Sequence, residues 1–286
     1  MKRVIIYHDD ADGKCAAAIA ARHKLSKDLD VDCIPMQYGD PVPWEIFEDF
    51  TRDVDELWML DFSLDSDRME KMIHETGMYF TWVDHHKTAL DSMGEQFAHV
   101  AGIRSIEKAA CLLTWEYCNP ESIAPQAVVL VADRDIWAFE QGDMTRYFYE
   151  SLIAQEHDPD AKIWDRLLLP GMSAWNMISG MVVEGEGFRR SRMVMLEGMA
   201  KRLGRSEDLD GTTCLCVNYP GSGDLGQIIL DMGYDVAHCY VEEMQDGRLV
   251  RTHSVYSDTE DVSVIASVRG GGGHKGAAGW TQIMEG

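Results

Sequence analysis

Short apolar runs alternate with segments of helical character over roughly the first 140 residues. The strand-like runs are VIIY (4–7), VDCIPMQY (31–38), LWMLDFS (57–63) and MYFTWV (78–83). KCAAAIAARHKL, DSDRMEKMIHETG, EKAACLLTWEYC and PQAVVLVADRDIW have the composition or periodicity of helices. Strands that alternate with helices are typical of a parallel sheet with helices on both faces.

The pattern changes in the second half of the chain. Residues 164–205 are rich in methionine and are predicted to be mostly helical. Short strands return in TTCLCVNY, VAHCYVEEM and RLVRTHSVYS, and the chain continues into VSVIASVRGGGGHKGAAGW. The sequence therefore predicts an N-terminal α/β domain with a doubly wound parallel sheet at 1–150. A helical connector at 151–207 and a smaller α/β domain at 208–286 follow.

Composition and charge narrow the functional class. Asp and Glu total 49 against 26 Lys and Arg, for a formal net charge of −23. This balance opposes binding of long duplex nucleic acid, because basic side chains that displace counterions supply much of that affinity. No apolar run approaches the roughly 20 residues that a membrane span requires. The seven cysteines are scattered and form no CxxC pair, as in cytosolic proteins with reduced thiols. We therefore expect a cytoplasmic protein with no membrane partner.

Polar side chains follow three of the predicted strands at the point where each strand ends. HDDADG follows the first, Asp61 ends LWML, and DHH ends MYFTWV. Because the carboxyl ends of parallel strands meet at one edge of the sheet, a ligand site is expected there. Within HDDADG, strand alternation would point His8, Asp10 and Asp12 in the same direction. Asp133, in the predicted helix AVVLVADRD, is a further candidate.

This set of carboxylates and imidazoles suits hard divalent cations. Such ligands favour Mn²⁺ or Mg²⁺, or Fe²⁺ in some sites. Together with His85, the candidates exceed what one ion needs, whereas two ions that share a bridging carboxylate would use them all. Pairs of this kind recur in enzymes that hydrolyse phosphoryl groups.

These motifs resemble those of a known family. HDDADG, LDFS around Asp61, Asp84-His85-His86 and VADRD around Asp133 resemble the four motifs of the DHH phosphoesterases, in the family's order. The C-terminal DVSVIASVRGGGGHKGAAGW resembles the glycine-rich signature of the DHH-associated substrate domain. The chain is similar to the nanoRNase (oligoribonuclease) and dinucleotide phosphodiesterase members.

The resemblance implies a site with two metal ions, most simply two Mn²⁺. One ion would be held by His8, Asp10 and Asp61, and the other by Asp12, Asp61, His85 and Asp133. Asp61 would bridge the two ions, and Asp84 would orient a histidine by a hydrogen bond. His86 would face the substrate phosphate. The implied catalytic residues are Asp61, Asp84, His85 and His86.

The residues of the glycine run themselves predict phosphate binding. Glycines permit positive φ and let backbone N–H groups approach a phosphate closely. The predicted substrate-binding residues of this segment are Gly271, Gly272, Gly273, His274 and Lys275. One departure from the family precedes it, since Tyr256 stands in SVYS where related sequences often carry an arginine.

The resemblance implies a metal-dependent phosphodiesterase of the exoribonuclease type that hydrolyses short single-stranded oligonucleotides to 5′-mononucleotides. Three alternatives stay open. The substrate would be a cyclic or linear dinucleotide, or 3′-phosphoadenosine 5′-phosphate, or the chain would be a catalytically inactive nucleotide sensor. The expected partner is a short oligonucleotide or dinucleotide, and a homodimer is compatible with the sequence.

Overall fold

Four parallel strands form the sheet of the N-terminal unit. The strands are β1 (Lys2–His8), β2 (Asp30–Met36), β3 (Glu56–Leu60) and β4 (Tyr79–Val83), in the order β2-β1-β3-β4. This computed structural model describes residues 2–23, 30–42, 44, 54–76, 79–245 and 247–284. Lys24, Leu25, Gly77 and Met78, at the ends of predicted elements, lie outside the described residues. The central strands read as continuous apolar runs because both faces of the sheet are covered.

Helices pack on both faces of this sheet. In chain order they are α1 (Ala11–Arg22), α2 (Ser66–Thr76), α3 (Lys87–Met93), α4 (Ala110–Cys118), α5 (Gln126–Asp135), α6 (Asp143–Ile153) and α7 (Trp164–Leu167). Apolar residues of α1, α4, α5, α6 and α7 share one core with side chains of one sheet face. Residues of α2 and α3 form the core on the opposite face. The predicted doubly wound α/β architecture is confirmed.

The C-terminal unit is built on a second, mixed sheet. Its strands are β5 (Arg205–Leu209), β6 (Thr212–Asn218), β7 (Val236–Gln245), β8 (Arg248–Tyr256), β9 (Gly272–His274) and β10 (Ala277–Met284). The order is β5-β6-β7-β8-β10-β9, with only β6 and β7 parallel among these paired strands. Helices α9 (Gly223–Asp231) and α10 (Val262–Ser267) contribute to two separate cores of this unit. Its mixture of helices and strands agrees with the smaller α/β unit that the sequence predicts.

The chain divides into the units Met1–Phe188 and Arg189–Gly286. Helix α8 (Met172–Leu203) contributes residues to both units. The predicted connector at 151–207 is therefore shared between them, and the three-part division stays a prediction. None of the described helices is long and apolar enough to cross a membrane. All seven cysteines are free, and all but Cys33 are buried.

Candidate active site

The carboxyl ends of β1, β3 and β4 bring three polar segments to one edge of the N-terminal sheet. β1 ends at His8, and β3 ends immediately before Asp61. β4 ends immediately before the sequence Asp84-His85-His86. Ligands bind at this edge in open parallel sheets. The candidate site therefore lies at the edge where ligands bind in sheets of this topology.

Asp61 occupies the middle of this edge and contacts histidines on both sides. Its Oδ2 lies 3.7 Å from His8 Nδ1, and its Oδ1 lies 3.2 Å from His85 Nε2. The side chain is 1% exposed. Its backbone adopts φ = 55°, a conformation that costs a non-glycine residue about 1–3 kcal/mol and collects at functional sites. Each carboxylate oxygen thus faces a different group of side chains.

The first group consists of His8, Asp10 and Asp61, whose potential ligand atoms all lie within 4.8 Å of one another. His8 Nδ1 is 3.0 Å from Asp10 Oδ2. Asp10 is also the N-cap of α1, where its Oδ1 accepts a hydrogen bond from the N–H of Gly13 at 2.9 Å. A Cβ on Gly13 would lie 2.0 Å from the carbonyl oxygen of His8. A glycine is therefore required where α1 turns back over the end of β1.

The second group consists of Asp12, His85 and Asp135. His85 Nε2 lies 3.8 Å from Asp12 Oδ2 and 3.4 Å from Asp135 Oδ2. Asp12 belongs to the first turn of α1, so a helix start rather than strand alternation presents it. Its two oxygens accept the N–H groups of Ala110 and Cys111 at 2.7 and 2.9 Å, which ties the site to the N-terminus of α4.

Asp133, the residue that the sequence assigned to the second ion, is not brought to this group. Its carboxylate accepts hydrogen bonds from the N–H groups of Glu140 and Gln141, and from the hydroxyl of Thr145. Positions 133 and 135 lie about 200° apart around a helix, so only one of them can face the cluster. Asp135 does, and the motif ADRD offered no local signal that distinguishes the two.

Asp84 organises the segment that contains the two histidines. It is fully buried, and its Oδ1 accepts the N–H groups of His85 and His86 at 2.7 and 3.1 Å. The same oxygen lies 2.8 Å from His86 Nδ1. The side chain of His86 remains 32% exposed, so Asp84 holds a ring that solvent still reaches. Asp84 thus orients the ring of His86.

The surroundings of the second group raise the pKa of its carboxylates. Burial, and then the charge of Asp61, raise the pKa of Asp12 to about 7. Burial, and then the charge of Asp12, raise the pKa of Asp135 to about 7. Asp135 Oδ2 is buried and has no hydrogen-bond partner among the described residues. A cation at this position would relieve both effects.

The histidines show the complementary effect. The contacts of His8 with Asp10 and Asp61 outweigh the effect of burial and raise the pKa of His8 to about 10. Burial lowers the pKa of His85, but its contact with Asp61 and the charge of Asp12 outweigh burial and raise that pKa to about 9. Without a cation, protons on these groups offset the clustered negative charge.

The glycine-rich segment lies in the C-terminal unit. Gly270 and Gly273 have φ of 79° and 142°, and a Cβ on residue 273 would lie 2.5 Å from Cα of Ala278. His274 and Lys275, like the glycines before them, are exposed. A cavity of about 620 Å³ adjoins the segment, with lining residues that include His253, Tyr256, Gly271, Gly272 and Gly273.

Tyr256, which stands where an arginine was expected, is a packing residue as well as a lining residue. It is half-buried and belongs to the apolar core formed with α9. A Cβ on Gly226 of α9 would lie 2.7 Å from Cγ of Tyr256. The ring therefore approaches the helix backbone at a position where only glycine fits.

Comparisons with known proteins agree with this architecture. The DHH domain of a member of the s1p family of ribosomal proteins superimposes with a TM-score of 0.61, at 14% identity over 99% of this chain and 83% of that one. The chain has the fold of that DHH domain. RecJ from Thermus thermophilus in complex with Mn²⁺ gives a TM-score of 0.52 at 16% identity, over 99% of this chain and 49% of that chain. A structure of exonuclease RecJ bound to manganese gives 0.50 at 15% identity, over 99% of this chain and 86% of that chain.

The chain also resembles a curated protein in sequence. No family model matches the chain. An uncharacterized protein, R106 of Acanthamoeba polyphaga mimivirus, is 28% identical over 233 residues, which cover 77% of this chain. The chain spans about half the length of that curated relative, 52%. The structural comparisons, rather than the sequence comparison, confirm the predicted resemblance at the level of the fold.

Proposed function

We propose that this chain is a metal-dependent phosphodiesterase that hydrolyses short single-stranded oligonucleotides to 5′-mononucleotides. The observation that carries the proposal is Asp61, whose two oxygens face the histidines of two separate ligand groups. A carboxylate in this position is suited to bridge two ions. The RecJ structures that share the fold are described as bound to manganese, and one is described as an exonuclease.

The donor set fits two hard divalent cations, and we assign Mn²⁺ first, with Mg²⁺ or Fe²⁺ as alternatives. Residues that would hold the two ions are His8, Asp10 and Asp61 for one, and Asp12, Asp61, His85 and Asp135 for the other. The partnerless oxygen of Asp135 and the raised carboxylate pKa values support this fit. When bound, such ions lower the pKa of a water molecule and offset charge on phosphoryl oxygens.

His86 would bind the phosphate that is cleaved. Its hydrogen bond to Asp84 raises the pKa of His86, because the carboxylate stabilises the protonated ring. With Nδ1–H directed to Asp84, Nε2–H is free to donate to a non-bridging phosphate oxygen. A donor that is already oriented stabilises charge in the transition state without reorganisation. Asp84 therefore acts through His86 rather than on the substrate.

Within the C-terminal unit, the glycine-rich segment would bind a phosphate group. The N–H of Gly271 donates to the carbonyl oxygen of Ala266, whereas Gly272 and Gly273 are exposed and carry no side chain that would block approach to their backbone. His274 and Lys275 add exposed donors. The adjoining 620 Å³ cavity is of the size that small-molecule sites usually have. A short substrate with a terminal phosphate matches this supply of donors.

The test is hydrolysis of bis-p-nitrophenyl phosphate with Mn²⁺ by the wild type, Asp61→Asn and a control, Asp231→Asn. Asparagine tolerates the left-handed backbone of position 61, so this variant removes charge with little strain. Asp231 is a carboxylate at the end of α9, which belongs to the other unit. We expect Asp61→Asn to lose activity by roughly a thousandfold or more, and Asp231→Asn to retain it. A wild type without Mn²⁺-dependent hydrolysis, or an active Asp61→Asn with two bound ions, contradicts the proposal.

A further inference from the structure

An exposed aromatic side chain lies close in sequence to the candidate metal ligand Asp135. Trp137 lies two residues further on, in the loop after α5, and is 52% exposed. The ring of Phe139 packs against it edge to face, with centroids 5.0 Å apart. This loop therefore presents a flat aromatic ring to solvent two residues from a candidate metal ligand.

Two arginines hold this aromatic pair in place. The guanidinium of Arg134 lies 4.0 Å from the ring centroid of Trp137, and that of Arg146 lies 4.1 Å from the centroid of Phe139. Arg134 also lies 4.7 Å from the ring centroid of Tyr149 on α6. We refer to Arg134, Trp137, Phe139, Arg146 and Tyr149 as the aromatic platform. Its two cations pack against the aromatic rings and order them.

The platform adjoins the candidate metal site. Asp135 joins the two through the backbone, since it contacts His85 and lies next to Arg134. Burial raises the pKa of Tyr149, and the charges of Asp10 and Asp135 add to that effect against the opposing charge of Arg134. Arg134 thus links the rings of Trp137 and Tyr149 to the chain segment that carries Asp135.

The backbone of the loop is strained and firmly held. Of four non-glycine residues with positive φ among those described, two are Trp137 at 58° and Phe139 at 52°. Asp133 secures this conformation, because its carboxylate accepts the N–H groups of Glu140 and Gln141, and its carbonyl oxygen accepts the N–H of Ala138 at 3.1 Å. Strain that the surroundings enforce in this way is found at ligand clamps. The loop is thus preformed rather than adaptable.

We propose that the aromatic platform, through Trp137, stacks against a nucleobase of the substrate. This inference rests on the proposed function and assigns the surface that would recognise the base of the substrate. A flat π system is what an exposed indole backed by arginine recognises, and stacking of this kind is tolerant of base identity. Neither an inorganic polyphosphate nor a base-free phosphodiester has a group that would use this surface.

The test compares binding of two non-hydrolysable dinucleotide analogues by calorimetry in the presence of Mn²⁺. Both have a methylene in place of the bridging oxygen; one carries adenine, and the other has hydrogen at each C1′. The proteins are the wild type, Trp137→Ala, Trp137→Phe and a control, Trp175→Ala. Trp175, on α8, is 44% exposed. It lines a cavity together with Trp115 and Pro170, and Trp137 is not among the residues of that cavity.

We expect Trp137→Ala to bind the adenine analogue at least roughly tenfold more weakly and the abasic analogue with an unchanged Kd. Trp137→Phe should retain part of the preference for adenine, and Trp175→Ala should match the wild type. Equal binding of the adenine analogue by Trp137→Ala and wild type overturns the inference. A wild type with no preference for the adenine analogue does so as well. Hydrolysis of the natural dinucleotide, assayed in parallel, tests the proposed function separately, since base-dependent binding without hydrolysis contradicts only the latter.

Discussion

At the scale of single residues, Asp133 and Asp135 show that two identical side chains can have different roles. Asp133 accepts two backbone N–H groups and the Thr145 hydroxyl. Asp135 contacts His85 and leaves a buried oxygen without a hydrogen-bond partner among the described residues. The first carboxylate is satisfied by the protein, whereas the second requires a proton or a cation.

Exchanging each of these carboxylates for an amide separates the two tasks. We expect Asp133→Asn to lower the free energy of unfolding by about 2–4 kcal/mol, because an amide nitrogen would face backbone donors, yet to bind both ions. Asp135→Asn should fold normally and lose one ion together with most activity. Metal stoichiometry and urea unfolding of both variants check this. Loss of an ion in Asp133→Asn, with both retained in Asp135→Asn, would restore the assignment made from the sequence.

At the scale of elements, the hairpin of β9 and β10 depends on individual glycines. Gly273 has φ of 142° and pairs with Ala278 across the hairpin, where a Cβ would lie 2.5 Å from Cα of that residue. A Cβ on Gly272 would meet nothing within 4 Å. The two neighbours therefore differ sharply in what they tolerate.

The matched substitutions Gly273→Ala and Gly272→Ala test this difference. We expect Gly273→Ala to lower the Tm by several degrees, because strain of about 1–3 kcal/mol is added to a short hairpin. It should also raise KM for a 5′-phosphorylated substrate. Gly272→Ala should keep the wild-type Tm, as measured by calorimetry. Equal Tm values for the two variants would show that the hairpin adapts to a side chain at position 273.

A row of stacked rings crosses β7, β8 and β10 of the C-terminal unit. His238 Nε2 lies 2.8 Å from His253 Nδ1, and the His253 ring stacks on Trp280 with centroids 4.4 Å apart. Burial, followed by the charges of His253, Arg269 and Arg251, lowers the pKa of His238 to about 4. Burial also lowers the pKa of His253. Both histidines are therefore neutral when folded at neutral pH.

This row predicts a loss of stability in acid. A histidine with a folded pKa below its unfolded value contributes stability above about pH 6.5, and that contribution is lost as pH falls towards the folded pKa. For His238 the loss reaches about 2 kcal/mol near pH 5. Urea unfolding at about pH 7.5 and about pH 5 should show a smaller difference for His238→Phe than for wild type. His99→Phe, at an exposed histidine, is the control; an unchanged difference in His238→Phe would exclude this role.

At the scale of the whole molecule, the net charge bears on the length of the proposed substrate. The chain carries a formal charge of −23, and its basic stretch at 188–205 is partly neutralised within the fold. Arg189 and Arg192, for example, both pair with Asp224. Additional phosphates of a long strand would meet repulsion rather than new contacts.

Activity should therefore fall as the substrate lengthens, and salt should reduce the fall. We expect kcat/KM to decrease from a five-mer to a long strand, and the difference to narrow between about 50 and about 300 mM salt, where screening weakens repulsion. Time courses with a dinucleotide, a five-mer and a long single strand at both salt concentrations provide the measurement. Processive degradation of the long strand in preference to the five-mer would contradict the short-substrate proposal.

The sequence by itself determined the sheet of the N-terminal unit and most of its site. Apolar runs that end in His8, Asp61 or Asp84 are local signals, because a buried strand and the polar residue that terminates it are neighbours in the chain. The parallel topology then carries these ends to one edge. Strand order, in contrast, is not a local property and came from the structure.

Tertiary structure alone decided which side chains complete the site and what supports them. Asp12 reaches α4 across 98 residues, and rotation about α5 selects Asp135 over Asp133. The exposure of Trp137 likewise follows from a loop whose conformation Asp133 holds through hydrogen bonds. These choices depend on helix rotation and on contacts between distant segments, which the pattern of apolar and polar residues along the chain does not encode.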